Sequence, residues 1–399
     1  MLPQDVVALV VSKVHGKNAL RSTSRILRLA VDACTSKLTW SGPIEAVTAK
    51  DREVEEAAGG GASPFVTLQM ALPAATLVAL TLLDCSGRRG RCLEIRSLAG
   101  CPNSVLALNC SDTRVTVLGP LSACTLLQTL DCSMTRVSSL GPLAACTSLQ
   151  TLKCIWTRVA ELGHLAACTL LQTLECNRTG VTELGPLAAC TLLQTLDCRL
   201  TAVTELGPLE ACTLLQILDC HMTQVSLLGP LAACTLLQTL DCSNSYVREV
   251  GPLEACRLLQ TLDCRMTRVS SLGPVAACPL LQRLDCSCTG VSSVGPLAAC
   301  TLLQTLDCSN SYVHEVGPLA ACTLLQTLDC SNSCVLEVGP LAACTGLVSL
   351  TCPRIASVAT LRQLMESCRL LNGIRQLGAQ EEEEWVSGEE RGSEESEEG

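Results

Sequence analysis

The chain has 399 residues, a net charge of −10 and a composition that is 48% apolar but only 2% aromatic. The segment Glu381–Gly399 carries ten Glu against one Arg, so the remainder is close to neutral and lacks the basic face of a nucleic-acid binder. No apolar run reaches the length of a membrane span, so neither nucleic acid nor membrane is an expected partner.

In chain order, residues 1–40 come first. "LPQDVVALVVSKVHGKNALRSTSRILRLAVDA" predicts two or three short helices. It lacks both a basic leading region and a small-residue cleavage site, so it does not read as a signal peptide. Thirty cysteines without a secretion signal point to free thiols in a reducing compartment. The expected location is cytoplasmic, with the nucleus as the alternative, and not secreted. Leu2-Pro3, the apolar places Val6, Val7, Leu9, Val10 and Val14, and then "ALRSTSRILRLAVDA" resemble an F-box in order and spacing. That resemblance implies docking on the adaptor of a cullin-type ubiquitin ligase. Leu2, Pro3, Val6, Val10, Leu20 and Leu27 would then lie in or beside the docking surface, and the repeats behind them would capture substrate. Ile26 stands where that family often has an aromatic, and "HGKNAL" replaces its second helix start. Read without the resemblance, the same stretch is a plain helical cap. Residues 41–76, with "EEAAGGGASP", read as a linker or irregular segment.

From 77 to 352 the chain repeats every 22 residues: L-x-x-L-x-C-x-x-T-x-V-x-x-L-G-P-L-x-x-C-T-x, counted from Leu127 as position one. Self-similarity at a fixed period marks a solenoid. Cys85 heads an irregular, longer first unit, which brings the count to about thirteen coils. "LQTLDC" alternates as a strand does, placing Leu127, Leu130 and Cys132 inward. Gly141-Pro142 opens a return too short for a full helix, so one 3₁₀ or α turn is predicted, with Pro at a first helical position. The pattern resembles leucine-rich repeats of the short class, which includes a protein phosphatase 1 regulatory subunit and the bacterial internalins. The resemblance implies an α/β solenoid, a horseshoe with a parallel concave β-sheet. Position nine is Thr or Ser where that family usually has Asn, which predicts a softer ladder of turn hydrogen bonds.

Two cysteine series follow the period, Cys110 to Cys352 and Cys124 to Cys344. Both stand where the family has buried leucine. Parallel Cα–Cβ vectors about 4.8 Å apart do not converge as a disulfide requires, and a straight line of thiols cannot enclose a tetrahedral metal. The ladders read as small buried hydrophobes, each giving up ~1–1.5 kcal/mol of transfer energy relative to leucine.

Outward strand positions line the recognition face of a solenoid. Position five reads Asp131, Lys153, Glu175, Asp197, Asp219, Asp241, Asp263, Asp285, Asp307 and Asp329. This acidic stripe would attract a basic segment of a protein ligand, or it is a duplicated residue tolerated in water. The most deviant unit, "LQTLKCIWTRVAELGHLAAC", brings Lys153, Ile155, Trp156, Arg158 and His164 together. A Trp beside an Ile has hot-spot character, although packing against a neighbour explains it equally. Tyr246 and Tyr312, beside Asn244 and Asn310, form a second candidate patch.

Residues 353–378 predict a C-terminal helical cap. Ser357 is its N-cap, Val358, Leu361, Leu364, Met365, Cys368 and Leu371 share one face, and Gly373 stops it. The acidic tail, 379–399, is too polar to bury a core and reads as disordered. Four scattered histidines and no phosphate-binding loop leave no catalytic constellation, and no metal or cofactor is expected. The resulting expectation is a non-enzymatic scaffold for a protein ligand, either as substrate receptor of a cullin-type ligase or as a phosphatase-regulating repeat protein.

Overall fold

The computed structural model describes residues 29–31, 37–40, 82–84, 98–353, 357–371, 374–377 and 383–386. It divides into two units, Met1–Ala202 and Val203–Gly399, built from the same coil. In the first unit the coil strands are Leu82–Asp84, Ala107–Asn109, Thr129–Asp131, Thr151–Lys153, Thr173–Glu175 and Thr195–Asp197. In the second they are Ile217–Asp219, Thr239–Asp241, Thr261–Asp263, Arg283–Asp285, Thr305–Asp307, Thr327–Asp329 and Ser349–Pro353. Together these make the thirteen coils that the repeat predicts. Within each unit neighbouring strands are parallel and in register, leucine beside leucine.

The strands are short because only three residues per coil alternate before the chain turns. Leu130 and Cys132 are fully buried, while Thr129 and Asp131 point outward. The return is a 3₁₀ segment, Gly141–Ala145 in one coil, with Pro142 in its first turn. Three consecutive i→i+3 bonds carry the chain back to the next strand. Leu143 N donates to Leu140 O, Cys146 N to Leu143 O, and Leu149 N to Cys146 O, at 2.9–3.0 Å. Val137, Leu140 and Leu143 close the layer, all within 1% of full burial.

Both cysteine series are inside, as expected, but they do more than fill space. Return thiols donate to the mid-segment carbonyl of the preceding 3₁₀ return, as Cys146 Sγ does to Leu121 O at 3.4 Å and Cys256 Sγ to Leu231 O at 3.5 Å. Strand thiols reach across to the next strand, as Cys132 Sγ does to Lys153 O at 3.5 Å. Leucine would fill the layer and leave those carbonyls one donor short. Burial pushes the Cys132 and Cys256 thiols up to about 12 and that of Cys146 to about 11.

The turn after each strand departs from the predicted soft ladder. The position-nine hydroxyl bonds within its own coil, as Thr135 Oγ1 does to Cys132 O at 2.6 Å. Backbone groups make the bonds between coils. Position eight is left-handed throughout, with φ between 51° and 55° at Met134, Trp156, Leu200, Met222, Met266 and others. Its N–H points at the next coil, as Met134 N does to Ile155 O at 2.7 Å. A side chain held there costs about 1–2 kcal/mol relative to the right-handed region.

At the ends the structure corrects three expectations. Leu29–Val31 is a strand rather than helix, antiparallel to Lys37–Trp40, which pairs parallel with Leu82–Asp84. The edge of the first coil is thus covered by a hairpin that satisfies its backbone groups. At the other end Ser357 caps the helix Val358–Ser367 through Thr360 N. The helix stops at Cys368, short of Gly373, because Cys368 takes the ladder position and donates to Leu341 O and Cys344 O. Ile374–Leu377 then adds a further parallel strand, and Glu383–Val386, inside the segment expected to be disordered, pairs antiparallel with it. The adaptor-docking residues Leu2, Pro3, Val6, Val10, Leu20 and Leu27 lie outside the described residues. Among the described residues no helix is long and apolar enough to cross a membrane.

Two outcomes are expected. Native-state maleimide labelling with peptide mapping should find Cys288 and Cys334, the exposed thiols among the described residues, reacting fast and the ladders reacting only on unfolding. Rapid labelling of the ladders would support a redox or metal-buffering role instead. Met222→Asn, replacing an exposed side chain in the left-handed region by one that tolerates it, should raise unfolding stability by about 0.5–1 kcal/mol in urea titration.

Candidate functional site

The outward face of each unit is built by positions five, eight and ten, joined at position seven by the larger side chains Ile155, Arg199, His221 and Arg265. At position five the carboxylates have a structural duty that the sequence reading did not assign. Asp131 Oδ1 accepts the Ser133 N–H at 2.9 Å. Asp241, Asp285, Asp307 and Asp329 each accept both the N–H and the hydroxyl of the serine two residues on, at 2.6–3.0 Å. Asp197, Asp219 and Asp263 accept the backbone N–H of Arg199, His221 and Arg265, two residues on, at 3.1–3.2 Å. The aspartate closes the turn that leads into the left-handed residue, an Asx turn repeated coil after coil. "D-C-S" is the signal for it in the sequence.

In the second unit the in-register strands hold Asp219, Asp241, Asp263, Asp285, Asp307 and Asp329 side by side. A histidine and an arginine contact the upper part of the row. His221 Nδ1 lies 3.0 Å from Asp219 Oδ1 and 3.6 Å from Asp241 Oδ2. Arg265 lies 3.5 Å from both Asp263 Oδ2 and Asp285 Oδ2. Asp307 and Asp329 pair with no cation among the described residues. Burial, against the backbone N–H of Arg265, pushes the Asp263 carboxyl up to about 6, and Asp241 and Asp285 add to it. Asp307 is raised for the same first reason. Asp219, His221 and Asp241 are the group of metal-ligating type among the described residues, their ligand atoms within 4.8 Å of one another. With the proton on Nδ1 the imidazole donates to the carboxylates, and hydrogen bonding accounts for the cluster.

In the first unit Lys153 Nζ sits 2.7 Å from Glu175 Oε1, so the lysine is neutralised inside the row. Ile155 is half-buried behind Trp156. Arg158 and Arg136 are exposed at position ten and form no ion pair among the described residues.

The aromatic residues are distributed against ordinary expectation. Trp156, Tyr246 and Tyr312 are the aromatic side chains of residues 98–353, and all point outward at 58%, 51% and 62% exposure. Arg178 lies over the Trp156 ring at 5.2 Å and Arg268 over Tyr246 at 5.5 Å. Met134, Met222 and Met266 are also more than half exposed at position eight. The sequence pattern singled out Trp156 and the tyrosines but not the methionines, whose exposure follows from a left-handed backbone that no Met or Leu signals.

Comparison with solved structures fits this geometry. An internalin from Listeria monocytogenes aligns with a TM-score of 0.64 at 21% identity, over 68% of this chain and 80% of that one. The functional domain of InlJ from the same organism, described as including a cysteine ladder, aligns at 0.54 and 23% identity over 72% of each chain. A plant peptide hormone receptor in complex with RGF2 aligns at 0.57 and 15% identity, over 76% of this chain and 64% of that one. The fold is the leucine-rich-repeat solenoid. No protein-family model and no curated protein matches the sequence.

A carboxyl with a folded pKa near 6 and an unfolded one near 3.8 binds its proton more readily when folded. Its ionisation therefore opposes folding, and stability should rise as pH falls from about 7 towards 4. Asp263→Asn keeps the acceptor for Arg265 N–H and should raise the unfolding midpoint at pH 7.5 while gaining nothing at pH 4.

Proposed function

We propose that the chain is a non-enzymatic protein-interaction scaffold whose outward strand face binds a protein ligand. The observation that carries the reading is the outward placement of Trp156 in the first unit and of Tyr246 and Tyr312 in the second, while the core of each contains only aliphatic side chains and cysteines. Aromatic, Met and Arg side chains are the composition of interface hot spots, and here they sit on a rigid backbone at little ordering cost. The peptide hormone receptor of the same fold supports the use of this architecture for a polypeptide partner. Six aspartates in register suit a partner with a basic segment. Buried free thiols suit a reducing compartment, the cytoplasm or nucleus. The sharpest form of the reading, resting on the order and spacing of Leu2 to Leu27, is a substrate receptor docked on a cullin-ligase adaptor by its first forty residues.

One capture experiment tests both levels. The full chain should retain a protein partner from lysate reproducibly, and Trp156→Ala with Tyr246→Ala should reduce retention at least tenfold without lowering the unfolding midpoint. Leu2→Asp with Val10→Asp should remove the adaptor and spare the face-bound partner. Retention unaffected by the aromatic pair would reject the face, and an adaptor that never binds would reject the receptor form.

A further inference from the structure

The three outward rings differ in one respect. Trp156 carries a guanidinium from position eight of the next coil, Arg178, and Tyr246 carries one from position ten of the next coil, Arg268. Tyr312 has Cys334 at the corresponding place, and no cation lies over its ring among the described residues. Tyr312 also lines an open groove of about 560 Å³ with Cys288, Thr289, Gly290, Asn310, Ser311 and Asn332. Gly290 stands where Arg268 and Tyr312 stand in the flanking coils, so no position-ten side chain from that coil overhangs the groove.

Its polar groups are specific. Asn332 Nδ2 donates to Asn310 Oδ1 at 3.3 Å, which leaves Asn310 Nδ2 and Asn332 Oδ1, a donor and an acceptor, without a partner among the described residues. Three residues before Cys288, Asn310 and Asn332 stand Asp285, Asp307 and Asp329. In each, Oδ1 is held by a serine. The cations of these coils, Arg283 and His314, form no ion pair with them.

We propose that this groove seats one arginine side chain of an extended peptide, with its guanidinium over Tyr312 in the field of the nearby Asp307–Asp329 pair, and its main chain on the two asparagine amides. Resting on the protein-binding reading above, this names the partner's chemistry. The two internal Arg–aromatic pairs show that the coil spacing brings a guanidinium onto a ring. A planar guanidinium stacks on a ring face as a compact ammonium does not, and the aspartate row favours a cation there. Asparagine amides match both halves of a peptide unit.

The test uses the exposed Cys288 thiol at the groove wall as a footprint. The probe is a ten-residue Ser/Thr/Val peptide with one central arginine, compared with its citrulline counterpart, which has the same shape without the charge. The arginine peptide at millimolar concentration should slow maleimide labelling of Cys288 at least fivefold and leave Cys334 unchanged, and the citrulline peptide should not. Cys334→Arg supplies Tyr312 with an internal guanidinium, as Arg268 does for Tyr246, and should abolish protection, whereas Cys334→Ala keeps it. Asp307→Asn with Asp329→Asn should weaken the peptide about tenfold. Equal protection by citrulline, protection that survives Cys334→Arg, or no protection at all would overturn the proposal. Loss of the captured partner on Trp156→Ala but not on Cys334→Arg would reject the groove alone. Groove protection with no partner captured would reject the wider reading alone.

Discussion

Every coil in a unit must accept the same coil on each side. The backbone enforces this: strand N–H groups donate to the next strand at 2.8–2.9 Å, as Cys132 N does to Lys153 O and Cys242 N to Asp263 O, so residues at equal positions stack in register. An inward side chain then faces copies of itself, and a core aromatic would need a compensating hole in both neighbours. Leu, Val and Cys meet the condition at native density. The thiol adds a donor for the mid-segment carbonyl of the preceding 3₁₀ return, which gives the cysteine ladders a physical reason beyond volume.

The same register that helps the core strains the surface. It lines up six aspartates, and partial burial, with a smaller contribution from the neighbouring carboxylates, raises Asp263 and Asp307. The row persists because each carboxylate also closes an Asx turn, and that turn delivers the chain into a left-handed residue whose N–H bonds the next coil. Charge repulsion and backbone strain are thus the local costs of a turn that keeps the coils stacked. Removing charge while keeping the acceptor separates the two effects.

Sequence variation collects where stacking makes no demand. Positions eight and ten project outward past the ends of the strands, so they carry Trp156, Arg178, Tyr246, Arg268, Asn310 and Tyr312 without disturbing the layers beneath. Rings, guanidiniums and amides on a rigid support suit recognition of a polypeptide. The inner layers vary only between aliphatic residues, as Val250 for Leu228 or Val275 for Leu253, so most of the variation in the coils lies in what they display.

The 22-residue period, the inward set at Leu127, Leu130, Cys132, Val137, Leu140 and Leu143, the 3₁₀ return at Gly141-Pro142 and the cap at Ser357 were all legible in the sequence, because each depends on local chemistry repeated in phase. Other features were not. Leu29–Val31 reads as helix from its neighbours, yet it becomes a strand in the hairpin that covers the edge of the first coil. The helix after Ser357 stops at Cys368 because the ladder needs that thiol. The left-handed turn is invisible at Met134 or Trp156, since those side chains do not prefer it and only the bond to the next coil holds it. The groove beside Tyr312 exists because Gly290, Asn310 and Asn332, each unremarkable in its own repeat, are brought together by stacking. Sequence alone determined the coil, and contact between coils decided which of its outward residues meet.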